Sequence, residues 1–434
     1  MTPETKRVTN GITRRLRAGV VAAIALLSAS AGYADSAYGC RSLETHAALP
    51  AVEAKDGTFF AIRPELQAFH GLGDETIGML SDLSQALSAR GTTLVLLPVP
   101  TRAQVMSQEL PQMASYLGYD AAASVAVYED MMRRLNKAGV TAADPHRALH
   151  AAALAGERPF FQTDRRPTSA GARVLASAVG AILADHPDLA GVTRGTFTST
   201  GGEDVTLPSA MRMQLQIACQ TQVPMVTTTV FTTTDSGAVP RDRSVVLGTS
   251  ITSTKELNLP GFLSEATGLA TLGYGVPEGG AFAAMSSYLT STDFQTTPPR
   301  VLIWEFPVTA SLADFGDQPL RELIAAATNS CSSDLPLTPG TTQGRWRADL
   351  DRLAAGADAT IALDIGGVGV PYVRFHFTGL DGLVRTRSIY RHPDQLFTGR
   401  FYLPLSGLNA DGLRDVEIEA PAGLGAQSRL ALCS

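Results

Sequence analysis

The chain has no Cys-x-x-Cys pair, no excess of basic over acidic residues, no internal repeat, and no hydrophobic run long enough to cross a bilayer comfortably. Each absence removes a class of function. Four widely spaced cysteines without a close pair argue against a zinc ribbon or a thioredoxin-type redox motif. A net charge of −6 gives no reason to expect a nucleic-acid partner, whose binding needs clustered Lys and Arg. Charged residues make up only 18% and hydrophobic residues 44%, a globular composition and not a disordered one. At 434 residues the chain is long enough for two domains, each with a full core.

The N-terminus carries the first positive signal. Arg14, Arg15 and Arg17 precede the apolar run from Ala18 to Ala29, and small residues follow up to Ala34. This order of charged, apolar and small residues predicts a signal peptide over residues 1–34, of the ordinary secretory or the twin-arginine kind. The run is short for a membrane span, and no other segment replaces it. Export would place Cys40, Cys219, Cys331 and Cys433 in an oxidising compartment, where an even number of distant cysteines suggests two bridges. Three connectivities are open; Cys40–Cys219 with Cys331–Cys433 is favoured because each bridge then closes one domain from end to end.

Along the mature chain, helical and strand periodicities alternate. Apolar positions at Ile77, Leu80, Leu83 and Leu87 predict a helix over 75–89, and 121–137 and 169–184 read the same way. The continuous apolar run over 92–100 is expected of a strand buried on both faces, 244–250 reads as a strand running into a tight turn, and 300–306 as another strand. Residues 52–60 suggest a turn at Asp56-Gly57 between short strands, and Val140 opens another short strand. Strands alternating with helices imply an α/β domain with a mostly parallel sheet over residues 35–333, whose ligands sit at the carboxyl ends of its strands. Residues 192–243 read as largely irregular, with a hairpin around 223–233. A Pro/Gly/Thr-rich linker follows at 334–344. Beyond it, short alternating strands separated by Gly and Asp turns predict a small antiparallel β-sandwich over 340–434.

Gly248-Thr249-Ser250 follows an apolar strand, where a strand-to-helix turn exposes a side chain. A serine there is either a nucleophile, with backbone N–H groups near enough to hold an oxyanion, or a structural helix cap. Other strings stand in a telling order: Lys55-Asp56-Gly57-Thr58-Phe59-Phe60, Leu97-Pro98-Val99-Pro100-Thr101-Arg102, Thr163-Asp164 followed by Thr168 and Gly171-Ala172, Leu247-Gly248-Thr249-Ser250, and Trp304-Glu305-Phe306-Pro307. From Val52 to about Pro307 the chain resembles the periplasmic alginate O-acetyltransferases of the SGNH-hydrolase type, the AlgX/AlgJ-like proteins. Its tail resembles the carbohydrate-binding module found in that family.

The resemblance implies a flavodoxin-like SGNH domain and a Ser-His-Asp triad that passes acetyl groups to a secreted uronic-acid polymer. No metal or cofactor is implied. Ser250 matches the nucleophile and Asp164 the orienting acid, but the position of the histidine holds Arg166. Arginine stays protonated and cannot act as a general base. Loss of the histidine from a comparable serine triad costs about 10⁶-fold in turnover. A salt bridge between Arg166 and Asp164 would lock the site. His46, His70, His146 and His150 are the candidates for a substitute base, with His376 and His392 poorly placed in the second domain. In the tail, Arg345, Trp346, Arg374, Arg391 and Arg400 are the expected substrate-binding residues, alongside Tyr372, His376 and Tyr390, although the tyrosines serve equally well as core.

Two readings follow. One is a periplasmic acetyltransferase of an alginate-type exopolysaccharide whose catalysis is impaired. The other is a non-catalytic, polysaccharide-binding component of an export and acetylation complex. Both imply an anionic polysaccharide and other periplasmic acetylation or export proteins as partners, and no transmembrane span.

Overall fold

The computed structural model describes residues 36–237, 242–313, 316–350, 359–408, 412–421 and 423–433. The expected signal peptide lies outside the described residues. Among them, no helix is long and apolar enough to cross a membrane.

The first domain opens on a small hairpin, β1 (Ala51–Glu53) with β2 (Phe59–Ala61), turned at Gly57, whose amide donates to the Ala54 carbonyl. Its main sheet consists of β3 (Thr93–Val99), β6 (Arg243–Gly248), β7 (Ala270–Gly275) and β8 (Val301–Pro307), in the order β3-β8-β6-β7 and parallel throughout. β3 is buried at all seven positions and β8 at all but its last, which is why both read as unbroken apolar runs. Val140 opens no full strand; Leu96 and Ala142 form one isolated parallel bridge beside β3. Helices Asp74–Ser88, Ala121–Lys137 and Ser169–Leu183 lie within two residues of their predicted limits. Two apolar clusters cover the opposite faces of the sheet, one built around Leu94, Leu302 and Trp304, the other around Val95, Val246 and Ile303.

The stretch expected to be largely irregular instead carries a long two-stranded ribbon, β4 (Phe197–Thr206) with β5 (Thr227–Asp235). Its threonines suit a pleated surface, and with few large apolar side chains to mark it, the strand pattern is faint in sequence. Both expected disulfides form. Cys40 joins Cys219 at the end of the helix Ala210–Ala218, and Cys331 joins Cys433.

The second domain is a two-sheet sandwich. One sheet has the order β10 (Thr338–Pro339), β11 (Trp346–Asp349), β16 (Leu413–Glu419), β13 (Tyr372–Gly379), β14 (Val384–Tyr390). The other runs β15 (Arg400–Pro404), β12 (Thr360–Asp364), β17 (Arg429–Cys433), β9 (Cys331–Leu335), and every pairing in both is antiparallel. Part of the expected linker is therefore strand: Asp334 and Leu335 pair with Ala431 and Leu430. Val373, Phe375 and Phe377 alternate inward to fill the core between the sheets. The outer face of the four-stranded sheet is covered by the first domain, because Tyr402 and Cys433 belong to the first domain's apolar cluster. On the outer face of the five-stranded sheet, among the described residues, Tyr390 is exposed and Tyr372, Arg374 and His376 are half-buried.

Candidate functional site

Ser250 stands where the carboxyl end of β6 turns into the one-turn helix Ser250–Ser253. The turn is shaped from below by Glu305 of β8. That carboxylate is fully buried and accepts the Thr249 amide at 2.8 Å, the Thr249 hydroxyl at 2.9 Å and the Thr252 hydroxyl at 2.9 Å. Burial pushes its pKa up, and these donors partly offset the rise. Gly248 makes the approach possible, since a Cβ there would sit 2.1 Å from a Glu305 oxygen. Thr249 is the helix cap, its side chain accepting from Ile251. Ser250 is thus relieved of the capping role, and its half-exposed hydroxyl makes no hydrogen bond among the described residues.

Asp164 and Arg166 arrive from the loop before the helix Ser169–Leu183. Phe160 and Phe161 anchor that loop in the core, and Phe160 bridges to Pro167. Arg102, 1% exposed, clamps it from beneath. Its guanidinium pairs with buried Glu65 at 2.6 Å and donates to the carbonyls of Phe161 at 2.9 Å and Asp164 at 3.0 Å. On this platform Arg166 closes on Asp164 as a two-pronged fork, Nε and Nη2 each 2.9 Å from a different carboxylate oxygen. The same guanidinium reaches the Pro208 carbonyl at 2.7 Å and the Thr254 hydroxyl at 3.1 Å, and Thr254 in turn donates to the Ser250 carbonyl at 2.6 Å. Burial alone would raise the Asp164 carboxyl, but the hydrogen bonds and charge of Arg166 outweigh it and hold the pKa below the ordinary value.

Among the described residues, no histidine hydrogen-bonds to Ser250. His146 meets the Gln104 carbonyl at 3.2 Å and stacks on His150, which meets the Val105 carbonyl at 2.7 Å. His70 lines a separate cavity with Met131, Phe306 and Val308; burial lowers its pKa, offset in part by the Pro64 carbonyl. His46 accepts from Leu49, His376 meets Thr386, and His392 accepts from Asp394.

The tail residues divide by face. Arg345 and Arg374 lie on the open sheet, sharing Glu419 at 3.2 and 2.9 Å. Arg374 also lies 4.9 Å over the Tyr372 ring, which pairs with Tyr390 at 5.6 Å between ring centres. The Arg374 guanidinium holds the Tyr390 phenol below its ordinary pKa. Both tyrosines therefore face outward. Trp346 does not: it pairs with buried Ile418 and packs toward the sandwich core, because it sits one residue out of phase with Arg345 and Arg347.

Arg391 and Arg400 are interdomain residues, which corrects their expected place on a sugar-binding surface. Arg391 pairs with buried Glu322 of the first domain and donates to the Ser286 hydroxyl at 3.4 Å. Arg400 bonds Asp364 at 2.8 Å and the Thr290 carbonyl at 3.2 Å. Between them, Gln395 donates to the Ala283 carbonyl at 2.7 Å, so the loop 391–400 is docked on the helix Ala283–Leu289.

Sequence reasoning gave no role to Glu65, Arg102, Thr254 or Glu305. A signal was present for two of them: Arg102 and Glu305 are charged residues at the end of, or within, otherwise apolar strand runs, where burial demands partners.

The profile of the family described as "SGNH hydrolase-like domain, acetyltransferase AlgX" matches residues 54–308, more than half of the chain. The chain belongs to the AlgX acetyltransferase family. The alginate biosynthesis protein AlgX of Pseudomonas fluorescens is 26% identical over 313 residues, covering 67% of this chain and 63% of its own length. Azotobacter vinelandii AlgX is 28% identical over 294 residues, with 65% and 59% covered. The chain thus spans about three-fifths of the length of these AlgX relatives. Among solved structures, Pseudomonas aeruginosa AlgX superposes with a TM-score of 0.75 at 22% identity, covering 92% of this chain and 97% of that one. The O-acetyltransferase domain of Pseudomonas putida AlgJ gives 0.52 at 22% identity, covering 64% and 99%. The two-domain fold is therefore that of AlgX.

Proposed function

We propose that this protein is an exported, AlgX-like component of alginate-type exopolysaccharide O-acetylation that holds the anionic polymer but turns over slowly if at all. The observation that carries this reading is the fork of Arg166 on Asp164. Acyl transfer by a serine needs a group that takes the hydroxyl proton during attack and returns it to the leaving oxygen. Guanidinium remains protonated at working pH and can only donate. Asp164 is at the same time consumed as the partner of Arg166, so it is not free to orient a base. The Ser250 turn is otherwise intact: Glu305, Gly248 and Thr249 keep its shape, and the hydroxyl is accessible.

Polymer binding is supported by the open face of the sandwich, where Tyr372 and Tyr390 offer ring surfaces and Arg345 and Arg374 offer forks suited to carboxylates. The Cys40–Cys219 and Cys331–Cys433 bridges and the signal-like N-terminus support a periplasmic location. Other acetylation or export proteins are the expected partners, since the acetyl donor must reach the polymer there.

The test is Arg166→His. An imidazole two residues from Asp164 would inherit its carboxylate and face the Ser250 turn. Hydrolysis of p-nitrophenyl acetate is expected to rise roughly 10²-fold over the native chain, at the lower end of the gain a general base supplies. Adding Ser250→Ala should remove the gain. Fast hydrolysis by the native chain, abolished by Ser250→Ala, would refute the impaired reading.

A further inference from the structure

Beside the Ser250 turn lies a cavity of about 380 Å³, lined by Ser253, Lys255, Asn258, Pro260 and Tyr274 among others. Its volume falls near the lower end of the ~300–1,000 Å³ found for small-molecule sites. We propose that this cavity is a subsite for one carboxylated sugar residue of the polymer, with the carboxylate on Lys255 and the ring against Tyr274. The proposal rests on the polymer-binding reading above and places a contact in the first domain, apart from the sandwich face.

Charge is the first argument. Lys255 is exposed, and its ammonium group makes no ion pair or hydrogen bond among the described residues. Its neighbour across Thr254 behaves differently, because Arg166 is fully committed to Asp164, Pro208 and Thr254. Lys255 is thus a cation beside Ser250 left available to a ligand carboxylate.

Preorganisation is the second. Asn258 ends the short helical turn Lys255–Leu257 in a left-handed conformation, φ 54°, and its amide donates to Thr233 of β5 at 2.9 Å. The backbone that carries Lys255 is therefore pinned to the ribbon. Opposite it, β7 approaches the Ser250 turn closely because it is glycine there: a Cβ on Gly275 would stand 2.4 Å from the Thr249 carbonyl. That approach brings Tyr274 into the cavity wall. Its hydroxyl accepts the Leu396 amide at 2.9 Å from the docked loop of the second domain, so both domains fix the ring. A sugar bound here would lie on a rigid wall built jointly by the two domains, within a few residues of the Ser250 hydroxyl.

The experiment is isothermal titration of the full chain with short polymannuronate oligomers, comparing the native protein with Lys255→Gln and Lys255→Arg. Lys255→Gln is expected to weaken the Kd roughly tenfold, the scale of one charge-assisted hydrogen bond, and Lys255→Arg to recover most of it. A neutral cello-oligomer should give no heat in any variant. Equal affinity of the native chain and Lys255→Gln overturns the subsite and leaves the broader reading standing. No binding by the native chain overturns both. The esterase assay of Arg166→His is independent of either result.

Discussion

In the first domain Arg166 and its carboxylate are 15% and 10% exposed, and the guanidinium is satisfied on three sides by Asp164, Pro208 and Thr254. On the open face of the sandwich Arg374 is 38% exposed, shares Glu419 with Arg345, and keeps one side of its plane over Tyr372. The same side chain meets the same kind of partner in both places. Burial and the number of fixed acceptors separate the two outcomes. A guanidinium whose donors are all taken closes a site, whereas one that shares a single carboxylate on an open sheet can exchange it for the carboxylate of a ligand. Arg391 extends the comparison. It lies in the second domain by sequence yet behaves like Arg166, because its partner Glu322 and its side chain are almost wholly enclosed at the domain interface.

The comparison can be broken most forcefully at Arg391. Arg391→Ala leaves Glu322 buried without its cation, a loss of about 4 kcal/mol. Calorimetry should show a lowered or split thermal transition, while the affinity for polymannuronate oligomers falls less than in Arg374→Ala. Weakened binding with unchanged stability would return Arg391 to a sugar-binding role.

A smaller loss, about 3 kcal/mol, is expected for Asp164→Asn, which strands Arg166. Because the folded carboxyl titrates below its ordinary 3.8, its stabilising effect is present above that pH and is lost as pH falls through the depressed folded value. The Tm difference between native and variant should therefore be full at neutral pH and shrink below about pH 4. A difference that grows on acidification would contradict the geometry. The smallest effect on stability belongs to Arg374→Ala: Tm should hardly move, since an exposed pair contributes little, while oligomer binding weakens several-fold.

Much of the fold was legible from periodicity. The helix over residues 121–137 and the strands around residues 93–99 and 301–307 stand where their apolar spacing puts them, because that spacing is a local property of the chain. The ribbon β4–β5 was only half legible, since threonine- and glycine-rich strands lack an apolar face strong enough to announce them. The direction of Trp346 was not legible at all: a one-residue difference in phase sent it to the core and its neighbours Arg345 and Arg347 outward. At the candidate site, Ser250, Asp164 and Arg166 could be picked out from short strings. Glu65, Thr254 and Glu305 could not be given roles, because their partners lie 37, 88 and 56 residues away from them along the chain.

By itself, then, the sequence determined the alternation of strands and helices, the two-domain plan and the presence of a guanidinium two residues from Asp164. The last of these is a matter of covalent identity, since no folding can make arginine release its proton at working pH. Tertiary structure alone decided which arginines are closed and which are open. Glu322 and Arg391 stand 69 residues apart, and only the docking of the second domain on the helix Ala283–Leu289 removes both from water and turns an expected ligand contact into a fastening between domains.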